Sequence, residues 1–537
     1  MAIKYYDLNA GVNGNGDYAT PYNNRNNAQS AAGVNGSIVL KNGSYDFADH
    51  LDFDDAATDR AESKFGATLT TNSNATYIAR VSSNGAMTGD VTQTVSGFVF
   101  DAPNSSSTPA RCFELSQNSP HTGIINVNSC KFLAGSVTGL YVDIRNATTN
   151  VTDCEFEGSS SNGEIYGTSN LSSVADQAIN VVGCKFTTAA STNTQGAKVT
   201  KANSNTYELD TSFRNCTFNA APTGSAGYTA LNLKVASATV SGCTFNLDGT
   251  QTSASMAAVY VIGQTTAQIT EAYISNNTVT SSAKSGYMLS LGATALSSYV
   301  TGGFIEANHV KGTYFTTYTP HGILLGMGSS GGVVRNNVVE NIYAGILASK
   351  CTNGTISNNL LYNCYGPSLY IKGTTDITVA NNTVVVGQDC TASDDVGVAP
   401  IGVNEQVDGT DTTGSTIENN TVIIPDISFV QGLASVSLNQ TTVFKNNTYI
   451  IPDTVDLTSD LFCVGAASLS ANAPNTTIAE WNALSATANG TGNITVTNDV
   501  IIQLPKADID ILVANLKPVS GGGTGEQSII SHNIIKH

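Results

Sequence analysis

Six acidic residues, Asp389, Asp394, Asp395, Glu405, Asp408 and Asp411, fall within one irregular stretch of the chain. Glycosidic-bond cleavage calls for two carboxylates roughly 5–10 Å apart, one as general acid and the other as base or nucleophile. Asp394, Asp395 and Glu405 are therefore the candidate catalytic set, and Asp389 and Asp408 are candidate ligands for sugar hydroxyls. The same carboxylates would equally serve a solvated or calcium-binding loop. Tyr314, Tyr318 and His321 form a second group, in which aromatic faces could stack on sugar rings and an imidazole could act as base. Glu164, Tyr166 and Asp176 form a third, weaker group. Asp7, Asn9, Asn13, Asn15 and Asp17 have the alternation of a calcium loop. Val12, however, stands where that loop needs glycine, and Tyr18 replaces its bidentate glutamate. A turn-rich loop explains this segment more simply, so no metal ligands are assigned and no cofactor is expected, with calcium left open.

Whatever positions these groups is built largely from uncharged polar residues. Charged residues are only 12% of the 537, against roughly 25% in ordinary soluble domains. The net charge of −18 repels nucleic-acid backbones and anionic lipid, and no Lys/Arg cluster offers a local exception. The first residues, Met1 to Asp7, lack an apolar signal-peptide core, and no stretch approaches the roughly 18 apolar residues of a membrane span. Synthesis and folding in a cytoplasm are expected, with the ten cysteines as free thiols.

One phrase recurs in two forms. The first is Asn128-Ser129-Cys130-Lys131-Phe132, repeated around Cys154, Cys184, Cys216 and Cys243 at intervals of 24, 30, 32 and 27 residues. The second replaces cysteine with paired asparagines: Asn276-Asn277, Asn336-Asn337, Asn358-Asn359, Asn381-Asn382, Asn419-Asn420 and Asn446-Asn447, with a degenerate copy at Ala307-Asn308. Each copy places a small or polar pair between two apolar strand residues, so the chain turns the same corner once per unit. Units of this length with three short strands each are coils of a solenoid, in which equivalent residues stack about 4.8 Å apart. Asn358 and Cys216 are read as inward ladder residues. The spacing predicts an all-β parallel β-helix of about 14 coils over residues 37–452, an N-terminal strand, loop and capping helix over 1–36, and a C-terminal capping or oligomerisation segment over 453–537. The 38-residue interval from Asn381 to Asn419 marks an insertion, and it holds the acid-rich stretch.

The N-terminus reads Tyr5-Tyr6-Asp7-Leu8-Asn9-Ala10-Gly11, then Tyr18-Ala19-Thr20-Pro21-Tyr22, a short helix around Asn26–Ala32, and Gly36-Ser37-Ile38-Val39-Leu40-Lys41-Asn42-Gly43-Ser44-Tyr45. This resembles the opening of right-handed β-helix proteins of the pectate-lyase-like superfamily. The segments Thr477-Ile478-Ala479-Glu480-Trp481-Asn482 and Lys517-Pro518-Val519-Ser520-Gly521 resemble the closing segment of many of them. The resemblance specifies fold and leaves activity open, because the superfamily holds lyases, glycosidases, esterases and non-catalytic adhesins. Many bacteriophage tailspikes belong to it, usually as homotrimers with glycan sites on the lateral face.

The resemblance therefore implies a virion protein that recognises host surface polysaccharide, assembles as a homotrimer with other virion proteins as neighbours, and could depolymerise its ligand. Ser393-Asp394-Asp395 and Pro320-His321-Gly322 occur in the wrong order for a polygalacturonase, and the calcium and arginine motifs of pectate lyases are not evident. Two alternatives stay open: a non-catalytic structural rod (fibre, capsid decoration or adhesin) and a free polysaccharide lyase or glycoside hydrolase. Grouped aromatics and carboxylates on one outer face would favour recognition, whereas uniform Thr, Ser and Asn faces would favour a scaffold.

Overall fold

The first residue of each corner pair carries the turn. Ser129, Asp153, Asn215, Asn276, Ala307, Asn336, Asn358, Asn381, Asn419 and Asn446 all have φ between +52° and +58°, with Gly183 and Gly242 at +67° and +64°. Asn, Asp and Gly tolerate this left-handed conformation best, which is why the corner reads as it does. The second residue points inward. Cys130, Cys154, Cys184, Cys216 and Cys243, and Asn277, Asn308, Asn337, Asn359, Asn382, Asn420 and Asn447, are all buried. The expectation for Cys216 holds, whereas that for Asn358 is off by one. Asn358 makes the turn and is only partly buried, and Asn359 is the ladder residue.

The computed structural model describes residues 2–518 except 34–35, 48–49, 54–57, 72–75, 84–90, 103–110, 118–122, 145–146, 170–175, 189–193, 202–206, 223–226, 250–254, 264–270, 293–299, 315–318, 388–398, 405–408, 438–439, 466–474 and 485–493. It divides into two compact units, Met1–Asn246 and Leu247–His537. In both, the strand before the corner, the strand after it and a third strand each pair in parallel with their equivalents in neighbouring coils. The chain is thus a parallel β-helix with three sheets, called here the first, second and third in coil order.

In the N-terminal unit the interior is a stack of phenyl rings. Phe100, Phe132, Phe156, Phe186, Phe218 and Phe245 follow one another at centroid separations of 4.4–5.1 Å with interplanar angles of 4–14°. That spacing matches the inter-strand distance, so each ring sits on its copy, gaining about 0.5–1.5 kcal/mol per pair beyond area burial. Beside the rings run Cys130, Cys154, Cys184, Cys216 and Cys243, and all nine described cysteines of the chain are buried free thiols. Burial holds the Cys154 and Cys112 thiols well above the usual range. The helix Arg25–Ala32 closes the start of the unit. Asn24 caps it by accepting from the Asn27 N–H, and Arg25 reaches both carboxylate oxygens of buried Asp59 at 2.9 and 2.8 Å.

In the C-terminal unit the ladder is amide. Each Asn side chain donates to the Oδ1 of the next, from Asn277 through Asn308, Asn337, Asn359, Asn382 and Asn420 to Asn447, at 2.9–3.0 Å. From Asn308 onward each also donates to a backbone carbonyl of the preceding coil, as Asn359 does to Val334. Every rung thereby satisfies buried donors and acceptors that would otherwise cost about 1–3 kcal/mol each. The ladder ends on Asp499, whose Oδ1 accepts from Asn447 and whose Oδ2 accepts from the indole N–H of Trp481. Trp481, from the capped helix Ile478–Asn482, is fully buried against Phe462 and Phe444. Trp481 and Asp499 thus stand together at the end of the amide ladder. A second closing element, helix Lys506–Leu516, packs Ile509 and Leu516 against Val338, Leu360, Val385, Ile423 and Ile450 on the outside of the second sheet.

Candidate functional site

Six of the eight candidate site residues in the acid-rich loop and aromatic group, Asp389, Asp394, Asp395, Glu405, Asp408 and Tyr318, lie outside the described residues. Asp411, the last acid of that stretch, accepts from Gln440 Nε2 at 3.1 Å. The structure brings Tyr314 and His321 into one aromatic chain. His321 lies 4.9 Å from Tyr287 and 6.0 Å from Tyr343, Tyr343 is 5.8 Å from Tyr365, and Tyr314 is set edge-on to Tyr365 at 4.8 Å. Tyr343 and Tyr365 are buried, so much of this aromatic surface is spent on internal packing. Burial also pushes the His321 imidazole down to about 4, which leaves it neutral at physiological pH and a weak base.

Glu164, Tyr166 and Asp176 are not brought together. Glu164 is turned into the interior with its Oε1 accepting from the Ser160 N–H at 3.2 Å, and Asp176 accepts from the Glu208 N–H at 2.9 Å. Tyr166 faces outward on the third sheet, and it belongs to a larger constellation. On the third sheet of the N-terminal unit the strand register aligns Asp52, Arg80, Glu114, Tyr141, Tyr166, Lys198 and Asn232 in a single outward row. Seven rungs at the strand spacing make a row about 29 Å long.

The side chains of this row are tied edge to face. Arg80 pairs with Asp52 and lies over the Tyr77 ring at 5.3 Å, and His50 packs on the other part of Tyr77 at 4.6 Å. Arg111 pairs with Glu114 and stands 3.5 Å from the centroid of Tyr141. Tyr141 meets Tyr166 at 5.5 Å, and Lys198 lies 5.3 Å from the centre of Tyr166. Asp143, two residues along from Tyr141, faces the same way. Burial and the Asp143 carboxylate hold the Tyr141 phenol above its ordinary range, with Arg111 opposing them. Glu114 and Asp143 sit on neighbouring strands two residues out of register, which places their Cα atoms about 8 Å apart by strand geometry. The row thus offers half-buried aromatic faces, fixed cations and two carboxylates on one rigid surface.

The first sheet of the same unit presents a different face. Its outward row Thr94, Asn126, Asn150, Asn180 and Ser212 bonds to itself rung by rung at 2.8–3.4 Å. The C-terminal unit carries a smaller exposed group on its first sheet, where Tyr273 stacks on Phe304 at 5.4 Å and Arg335, paired with Glu306, lies over Phe304. At the N-terminus, Asp7, Asn13, Asn15 and Asp17 are engaged in local turns, with Asp7 accepting from the Asn9 N–H and Asn13 from the Asn23 N–H. Among the described residues no three His, Cys, Asp or Glu side chains converge as metal ligands.

Tyr141, Glu114 and Arg111 escape a reading based on spacing from the corner. Tyr141 lies 11 residues beyond Cys130, Tyr166 lies 12 beyond Cys154, Lys198 lies 14 beyond Cys184 and Asn232 lies 16 beyond Cys216. The turn before the third sheet changes length in every coil, so equivalent positions drift out of frame. The usable signal is the aromatic or charged residue between two apolar ones in Leu140-Tyr141-Val142 and Ile165-Tyr166-Gly167.

A sequence model described as "Right handed beta helix region" matches residues 197–384. With the parallel sheets above, it fixes the fold as a right-handed parallel β-helix. No curated protein matches the chain. Among solved structures, the tailspike protein of E. coli bacteriophage HK620 in complex with pentasaccharide is 14% identical, with 81% of this chain and 72% of that one covered and a TM-score of 0.40. The A-module of the mannuronan C-5 epimerase AlgE4 of Azotobacter vinelandii is 11% identical, with 76% and 90% covered and a TM-score of 0.34. Tailspike protein 3 of bacteriophage CBA120 is 11% identical, with 86% and 56% covered and a TM-score of 0.36, so this chain spans little more than half of it.

Proposed function

We propose that this chain is a tailspike-like virion protein that recognises host cell-surface polysaccharide along the third-sheet face of its N-terminal unit. The observation that carries the reading is the outward row from Asp52 to Asn232, in which Tyr141 and Tyr166 lie between Arg111 and Lys198 on consecutive coils. Sugar rings present apolar C–H faces edged by hydroxyls. Tyrosine rings accept the former, and guanidinium, ammonium and carboxylate groups bond the latter. A preformed row on paired strands loses little entropy on binding, because its side chains already hold one another. The contrast with the self-satisfied Asn and Thr row of the first sheet supports recognition on this face.

Glu114 and Asp143 also put two carboxylates on this face, the kind of pair that hydrolysis uses. The assembly consistent with this reading is a homotrimer held with other virion proteins. Incubation with capsular and lipopolysaccharide preparations, followed by chain length and retention, tests it. Wild-type protein retains its cognate polysaccharide, and Tyr141→Ala with Tyr166→Ala releases it at unchanged melting temperature. Chain shortening that is lost in Glu114→Gln and in Asp143→Asn adds depolymerisation. Retention unaffected by the tyrosine changes would remove the site from this face.

A further inference from the structure

The C-terminal unit holds a second polar site, where helix Lys506–Leu516 ends. On the outside of the second sheet one row runs Lys311, Glu340, Tyr362, Val385, Ile423, Ile450. The helix covers the apolar half of this row. Past its last turn the row becomes polar and a cleft of about 570 Å³ opens, with Val513 and Pro518 as its apolar wall. That volume suits a small molecule rather than a stray water.

Charge in the cleft is balanced. The ammonium groups of Lys311 and Lys517 stand against the carboxylates of Glu340 and Asp510. Lys311 Nζ is 3.6 Å from Glu340 Oε1, and Asp510 is held by Lys506 at 2.8 and 3.0 Å. A ligand carboxylate would meet Glu340 and Asp510, and a ligand ammonium would meet Lys311 and Lys517, so net charge of either sign gains nothing here. What the cleft offers instead is fixed hydrogen-bonding capacity. Glu340 is only 4% exposed, and His309 Nε2 lies 2.9 Å from its Oε1. Its Oε2 accepts from Asn341 Nδ2 at 3.3 Å, which leaves that oxygen room for a further donor. Asn363 Nδ2 donates to Asn341 Oδ1 at 2.6 Å, and this bond holds the Asn363 amide in place with its own Oδ1 unclaimed by a described donor. The Tyr362 hydroxyl bonds to no described group, while its ring packs against the cluster that seats the helix. Two acceptors, Glu340 Oε2 and Asn363 Oδ1, thus share the cleft with two donors, the Tyr362 hydroxyl and the Lys517 ammonium.

We infer that this cleft binds one neutral pyranose unit. Each hydroxyl of such a ring both donates and accepts, so neighbouring hydroxyls satisfy the acceptors and donors together without disturbing the charge balance. The C–H face of the ring lies on Tyr362 and the Val513–Pro518 wall. Glu340 is the anchor, because a hydrogen bond to a charged acceptor is about twice as strong as a neutral one. The site lies in the other unit from the tyrosine row and stands independently of it.

Titration of the full chain with glucose, galactose and mannose, read by calorimetry and by saturation-transfer NMR, tests the assignment. At least one of the three binds with a millimolar Kd that about 0.5 M salt leaves unchanged, and its uronic acid and amino-sugar counterparts bind roughly tenfold more weakly. Glu340→Gln weakens binding roughly tenfold and Tyr362→Phe roughly threefold. Tyr362→Phe keeps the packed ring, so it reads the hydroxyl even where Glu340→Gln disturbs the buried contact with His309. Binding of none of the three up to about 50 mM, tighter binding of the uronic acid, or full binding in both variants would each overturn the assignment. So would loss of binding in Tyr141→Ala with Tyr166→Ala but not in the cleft variants, which would move the sugar to the tyrosine row. Polysaccharide retention that fails while monosaccharide binding survives would overturn the tyrosine-row reading and leave this one standing.

Discussion

Glu164 is the residue on which pH should act most visibly. Its carboxyl is wholly buried with a single backbone hydrogen bond, and desolvation pushes it up to about 8. The unfolded chain ionises this group near 4.3, whereas the folded chain holds the proton until about pH 8. The contribution of this group to stability is therefore most favourable below pH 4 and declines as pH rises from there to 8, by several kcal/mol in order of magnitude. Glu164→Gln should flatten that decline, and melting curves between pH 4 and 9 check it. Parallel curves for variant and wild type would refute the burial argument. The ladder gives a second residue-scale test. Asn359→Asp puts a carboxylate against Asn382 Oδ1 and the Val334 carbonyl, both of which now accept from the Asn359 amide. It should cost about 3 kcal/mol or more in chemical denaturation. Asn358→Asp, at a position that asks only for a left-handed backbone, should stay within about 0.5 kcal/mol. The pairing of the two asparagines was legible in the sequence, but which of them turns and which is buried was not. Both roles favour asparagine, one for its backbone tolerance and the other for its amide.

At the scale of elements, the two C-terminal closures make separate demands. Asp499 occupies the ladder position that Asn fills in every preceding coil of its unit, because its second oxygen must accept from Trp481. Asp499→Asn would turn an amide N–H toward the indole N–H and should cost about 2 kcal/mol, despite matching every other rung. A melting temperature equal to wild type would show that the tryptophan contact is dispensable. The helix Lys506–Leu516 covers the apolar row Val385, Ile423, Ile450, and Ile509 is its fully buried anchor. Ile509→Asp should destabilise the C-terminal unit by about 3–4 kcal/mol and increase binding of a hydrophobic dye. Neither closure was fully readable beforehand. Trp481 marks the closing segment, but Asn498-Asp499 departs from the paired-asparagine phrase by one atom type, so the repeat alone does not reveal a coil there. The helix has no side-chain N-cap to announce it, since Pro505 takes that place.

For the molecule as a whole, the repeat dictates the parallel β-helix because burial on three sheets demands the same inward residue in every coil. No such demand acts on the outer face of the third sheet, whose row changes residue type from coil to coil. That is why the corner ladder could be read along the chain, whereas the row through Glu114, Tyr141, Tyr166 and Lys198 became visible only once strand register set residues from different coils side by side. The acid-rich loop stands out by composition and length, but five of its six acids lie outside the described residues. The low charge content and net charge of −18 leave Arg80, Arg111 and Lys198, gathered on one sheet, as a concentrated set of cations. The most direct test of the central claim is retention of purified surface polysaccharides on immobilised wild-type protein and on Tyr141→Ala with Tyr166→Ala. The account predicts that at least one capsular or lipopolysaccharide preparation binds wild type and binds the variant roughly tenfold or more weakly, with both proteins melting at the same temperature. Equal retention by the two proteins, or retention of no polysaccharide by wild type, would contradict it.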